Sequence, residues 1–200
     1  MSDTMRLREK LVLAAERAYR RGIQTGSGGN VSARVPGKDL MLVKASGSSF
    51  ADSTADGFVV TDFDGTLVEG TGKPSREALL HGYLYRICPW LGAVVHVHSP
   101  YAIAWASTKK ALPRTTWHAQ LKLPADIPTL DVASPMVRIE DFPLVKAAYD
   151  RVPDLPAFLL VDHGVVACAT NPVDAEHVAE LVEETAQVAL LKALVAKAEL

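Results

Sequence analysis

The chain has 200 residues, of which 48% are hydrophobic and 22% charged, and a formal net charge of −2 at pH 7. A chain of this size buries one substantial core unaided, so a single domain over residues 1–200 is expected, and its scattered lysines and arginines make no basic stripe for a nucleic acid. The opening MSDTMRLREK has no apolar leader core, and no run approaches the roughly eighteen apolar residues of a membrane span, so the expectation is a soluble, cytoplasmic protein with no membrane partner.

In chain order, Leu7, Leu11, Ala14, Ala15 and Ala18 recur at helical spacing ahead of Gly22, predicting a helix over about residues 4–21. Glycine-rich TGSGGN follows, then two β-type runs, VSARV and LMLVK. In FVVTDFDGTLVEG, Asp64-Gly65 between β-branched runs predicts a tight hairpin. Pro74 is pre-organised for a first turn, so PSREALLHGYLYRIC is expected to be helical, with Ser75 and Glu77 in that turn and an end before Pro89. GAVVHVH predicts a strand passing directly into a helix capped by Ser99 and opened by Pro100. IPTLDV and AFLLVD are further strands, and Asn171-Pro172 starts a long C-terminal helix. Cys88 and Cys168 lie in apolar settings without Cys-x-x-Cys spacing, which argues against a disulfide framework. The pattern is α/β, a largely antiparallel sheet covered by helices.

Side chains alternate along a strand, so His96 and His98 of VVHVHSPYA share one face while Val95 and Val97 occupy the other. Two imidazoles so spaced can grip one ion together; the alternative is that each hydrogen-bonds to backbone or solvent. A catalytic zinc needs a third protein ligand and an open position. His163 ends an apolar strand ahead of Gly164 and is the candidate third imidazole. Glu77 is the candidate carboxylate, a helix-capping role being its alternative, and His81, four residues on, is the candidate outer partner. No carboxylate occurs from Ser99 to Trp105, against a cupin, and the chain is too short for a metallohydrolase barrel. Gly26, Gly28 and Gly29 before Asn30, with Ser46, Gly47 and Ser75, can converge N–H and hydroxyl groups on an anion, although each loop alone also suits an ordinary turn.

In order, GSGGNVSAR, SG, KPSREALLH, VVHVHSPYA, LLVDHGVV and AELVEETAQVALL resemble the class II aldolase/adducin family over nearly the full chain. The resemblance implies a three-layer α-β-α sandwich with a mostly antiparallel central sheet, a homotetramer with active sites at subunit interfaces, and a divalent ion, commonly Zn2+, with Mn2+ or Co2+ as alternatives. It implies His96, His98 and His163 as ligands, Glu77 as both ligand and general base, and Gly28, Asn30, Ser46, Gly47 and Ser75 as phosphate binders. The implied reaction is cleavage of a carbon–carbon bond in a small phosphorylated ketose through a metal-stabilised enediolate. Decarboxylation of a 3-oxo sugar-acid phosphate and a non-catalytic adducin-like module are the alternatives.

Three departures bear on the substrate. Trp117 stands where the family aldolases carry a tyrosine proton donor, with His118 adjacent as a substitute donor or substrate contact; were this piece extended, His118 would point the opposite way. Arg76 stands where a second serine is common, and a guanidinium there suits phosphate or carboxylate. The chain also stops with the last helix, without the tail that some aldolases and epimerases use, which argues against epimerisation.

Overall fold

The computed structural model describes residues 3–132 and 134–198. Eight strands form one sheet: β1 (Asn30–Arg34), β2 (Leu40–Lys44), β3 (Phe58–Asp62), β4 (Leu67–Glu69), β5 (Ala93–Val97), β6 (Thr129–Leu130), β7 (Ala157–Leu160) and β8 (Gly164–Ala169). Their spatial order is β4-β3-β2-β1-β5-β8-β7-β6, antiparallel throughout except for the β6–β7 pair. The helices are α1 (Asp3–Arg20), α2 (Ala78–Ile87), α3 (Pro100–Ala106), α4 (Trp117–Lys122), α5 (Phe142–Arg151) and α6 (Pro172–Lys197).

Two cores result, one on each face of the sheet. Ala93, Val95 and Val97 of β5 pack with Leu11, Ala15 and Ala18 of α1, Ala102 of α3 and Ala179 and Val182 of α6. Val94 of the same strand packs with Leu80, Leu84 and Tyr85 of α2 and Val145 and Tyr149 of α5. This is the three-layer sandwich, and both faces of β5 and β8 are covered, so all their residues are buried. The apolar side chains therefore face both ways, and the histidines enter the α2 side by simple alternation.

The predicted first helix, hairpin and long last helix are present. Asn171 caps α6 by accepting from the N–H groups of Val173 and Asp174. Other expectations are corrected. Pro74 does not open α2: it bridges to Ala45 in antiparallel fashion, with Ser46 N–H bonded to the Lys73 carbonyl and Ser75 N–H to that of Lys44. This bridge beyond the end of β2 outcompetes an early helix start, so α2 begins at Ala78, and Glu77 is its N-cap residue, outside the first turn. Ser99 precedes α3 but makes no capping bond; Glu183 of α6 accepts instead from the N–H groups of Tyr101 and Ala102, at 3.0 and 2.8 Å. The segment from Trp117, whose conformation the sequence left open, is helix α4, capped by Thr116. Helix α5 was not anticipated, and only Thr129–Leu130 of IPTLDV is a strand. No helix among the described residues is long and apolar enough to cross a membrane.

Candidate metal centre and anion cavity

β5 and β8 are neighbours in register, His96 opposite Val166 and Val97 opposite Val165, so the end of β5 meets the turn that starts β8. That turn carries His163. Gly164, at φ +153, lets it pass close under β5, because any side chain there would strike the Val97 carbonyl. His96 Nε2 consequently lies 3.1 Å from His98 Nε2 and 3.3 Å from His163 Nε2. One ligand nitrogen from each ring falls within a 4.8 Å cluster. His96 Nδ1 faces the Val165 carbonyl at 2.8 Å, which can only accept, so the proton sits on Nδ1 and the Nε2 lone pair points into the cluster.

Burial holds the pKa of all three rings down to about 4, with the neighbouring rings adding to the effect at His98 and His163. The imidazoles are therefore neutral at neutral pH, as ligands must be. A shared N–H···N bond or a common cation accounts for nitrogens this close, and ligands about 2 Å from a tetrahedral ion sit about 3.3 Å apart. The donor set fits a divalent ion.

Glu77 completes the group. Its Oε2 accepts from Asn30 Nδ2 at 2.7 Å and lies 3.4 Å from His96 Nε2, while Oε1 is buried and has no partner among the described residues. Burial raises the Glu77 pKa, opposed by His163, the Asn30 bond, His98 and Arg76. Register explains the Asn30 contact, since Asn30 of β1 lies opposite His96 on the same face. His81, one turn beyond Glu77, does not reach the cluster by any hydrogen bond. Its Nδ1 lies 2.7 Å from Ser32 Oγ, which is 2.7 Å from Tyr85 OH, and burial lowers its pKa to about 3. The ring is a neutral wedge between α2 and β1.

A cavity of about 380 Å³ opens from the imidazoles, lined by Gly28, Asn30, Ser46, Gly47, Ser75 and Arg76, together with Glu77, His98 and His163. The anion-binding candidates thus line one cavity. Lys44, which sequence reasoning missed, lines it too. Its residue is 3% exposed, its ammonium donates to the Ser48 carbonyl at 2.5 Å, and burial lowers its pKa to about 8. A lysine ending an apolar strand was the available signal. Trp117 and His118 lie elsewhere, on the outer face of α4: Trp117 is 82% exposed, and His118 Nδ1 lies 3.5 Å from Glu184. Neither lines this chain's cavity.

Residues 9–190 match the family model described as Class II Aldolase and Adducin N-terminal domain. The chain belongs to this family. Among its relatives is the 5-deoxy-D-ribulose 1-phosphate aldolase of Bacillus thuringiensis serovar kurstaki, 32% identical over 90% of this chain and 83% of that one. The L-ribulose-5-phosphate 4-epimerase UlaF of Salmonella paratyphi B is 35% identical over 85% and 78%. An L-fuculose 1-phosphate aldolase structure superposes with a TM-score of 0.82 at 26% identity, covering 96% of this chain and 87% of the other. YgbL of Klebsiella pneumoniae, for which aldolase, epimerase and decarboxylase are all offered, gives 0.79 at 27% identity, covering 94% and 90%. This class II aldolase family member is an aldolase-type enzyme.

Proposed function

We propose that the protein is a zinc-dependent lyase that cleaves a small ketose phosphate by a retro-aldol reaction, as a homotetramer. The observation that carries the reading is the Oε1 of Glu77, without a partner among the described residues, beside three converging imidazoles on a cavity whose other lining residues suit an anion. His96, His98 and His163, with Glu77 in the resting site, would hold the ion, which when bound polarises the substrate carbonyl and stabilises the negative charge that develops as the bond breaks. Gly28, Asn30, Ser46, Gly47 and Ser75 receive the phosphate, and Lys44 adds a cation behind them. Holding that end fixes the scissile bond over the carboxylate.

Cleavage moves the electron pair of the carbon–carbon bond toward the carbonyl side while the hydroxyl beyond the bond loses its proton and becomes an aldehyde. The carbon left behind then takes a proton. Glu77 is the proton carrier in this scheme: Oε2 is steered by Asn30, Oε1 has no partner among the described residues, and burial raises the pKa above the ordinary carboxylate value, which favours taking up a proton.

Arg76 favours a second reading. Its exposed guanidinium lines the same cavity, where a carboxylate would be its natural partner, as in decarboxylation of a 3-oxo sugar-acid phosphate. Zinc-loaded protein should be assayed on ketose phosphates and on 3-oxo sugar-acid phosphates. Aldehyde release supports the lyase, carbon dioxide release supports the second reading, and inertness toward both panels with zinc bound would sink each.

A further inference from the structure

Gln24 lies between α1 and β1, is 1% exposed, and does not line the cavity. Its Oε1 accepts from the backbone N–H of His98 at 2.9 Å, and its Nε2 donates to the Thr25 carbonyl at 2.7 Å. The first bond answers a specific need. β5 ends at Val97 and α3 begins at Pro100, so the N–H of His98 belongs to neither element and needs an acceptor from elsewhere. A side-chain amide supplies acceptor and donor together without burying a charge.

The glycine loop closes over this amide. A Cβ on Gly28 would lie 2.8 Å from His98 Nδ1 and 3.1 Å from Gln24 Nε2. A Cβ on Gly29, which has φ +65, would collide with Gln24 Oε1 and come within 2.8 Å of the His96 carbonyl oxygen. Loop, glutamine and histidine strand are therefore packed as one unit, and the same loop forms part of the cavity wall.

We infer that Gln24 is a positioning residue that sets the spacing between the His98 imidazole and the anion loop, and so governs both ion affinity and the grip on the substrate's anionic end. The inference rests on the proposed reading of the site, namely that His98 is a ligand and the loop an anion binder.

Gln24→Met keeps the length of the side chain and removes both bonds. The apo proteins should be titrated with Zn2+ against a chelating indicator, and the zinc-saturated proteins assayed for KM and kcat. The expected result is a roughly 10- to 100-fold weaker zinc Kd, the range for residues that orient a ligand, and a raised KM with a smaller change in kcat, in protein of native circular dichroism. A zinc Kd and KM within threefold of the parent would overturn the inference. Should Gln24→Met not fold, Gln24→Asn, one methylene too short to span both partners, is judged by the same readings. Because zinc titration needs no substrate, a weaker zinc Kd upholds the role of Gln24 at the ion even where every ketose phosphate proves inert.

Discussion

At the scale of the residue, two carboxylate oxygens in one side chain have different surroundings, and the difference assigns their work. Oε2 of Glu77 is held by Asn30 and faces His96, while Oε1 has no partner among the described residues. Glu77→Gln keeps the shape and loses the proton carrier, so kcat should fall by about 100-fold or more while zinc still binds; steady-state kinetics with metal analysis reads both. Lys44 invites a pH test. Burial holds its pKa at about 8, so the ammonium is charged below that pH and neutral above it. KM for a phosphorylated substrate should rise as pH passes about 8, and Lys44→Met should show the raised KM at every pH. The histidine pair was legible in the sequence because alternation along a strand is a local rule. Lys44 showed only as a charge ending an apolar strand, and Gln24 not at all, because their neighbours along the chain do not say that a cavity and a histidine strand lie beside them.

At the scale of the element, polar groups on one helix decide the ends and seams of others. Glu183 of α6 takes the place Ser99 was expected to fill at the start of α3, where a carboxylate also meets the helix dipole. Glu176, fully buried between α6 and α1, accepts from Arg17 Nε at 2.8 Å through Oε2 and lies beside the Glu180 carboxylate. Burial and the adjacent Glu180 raise its pKa from the ordinary 4.5 to about 8, against the pull of Arg17. The folded state thus retains a proton that the unfolded chain releases. This group's contribution to stability is complete below about pH 4.5 and is lost as pH rises through about 8. Glu176→Gln should accordingly raise the midpoint of thermal unfolding more at pH 8.5 than at pH 5, measured by calorimetry. The start of α2 shows the same competition between local and distant demands. Pro74 suits a first helical turn, but the bridge to Ala45 is available only once the sheet has formed.

At the scale of the molecule, large apolar side chains lie bare on α4 and the end of α6. Trp117 is 82% exposed, Leu121 83% and Leu194 63%, and Lys192 bonded to the Thr115 carbonyl at 2.6 Å ties the two regions together. Exposed apolar side chains of this kind are candidates for burial between subunits, and they suit the subunit contacts of the proposed tetramer. Leu121→Asp should shift the protein toward its 21.5 kDa monomer in light scattering and lower turnover together; an unchanged mass would remove α4 from the interface.

The amino-acid sequence by itself determined what depends on near neighbours: the first and last helices, the hairpin, the strand that turns both histidines to one face, and the family its ordered motifs resemble. Periodicity and turn chemistry act over a few residues, so they survive without the fold. Only the tertiary structure decided what those pieces meet. The order β1-β5-β8, set by which strand faces must be buried, brings Asn30, His96 and the turn bearing His163 side by side. It also places Gln24 against His98, sets Lys44 in the cavity wall, and moves the start of α2 beyond Glu77. Those outcomes follow from burial and backbone pairing between residues far apart in the chain, which no local pattern encodes.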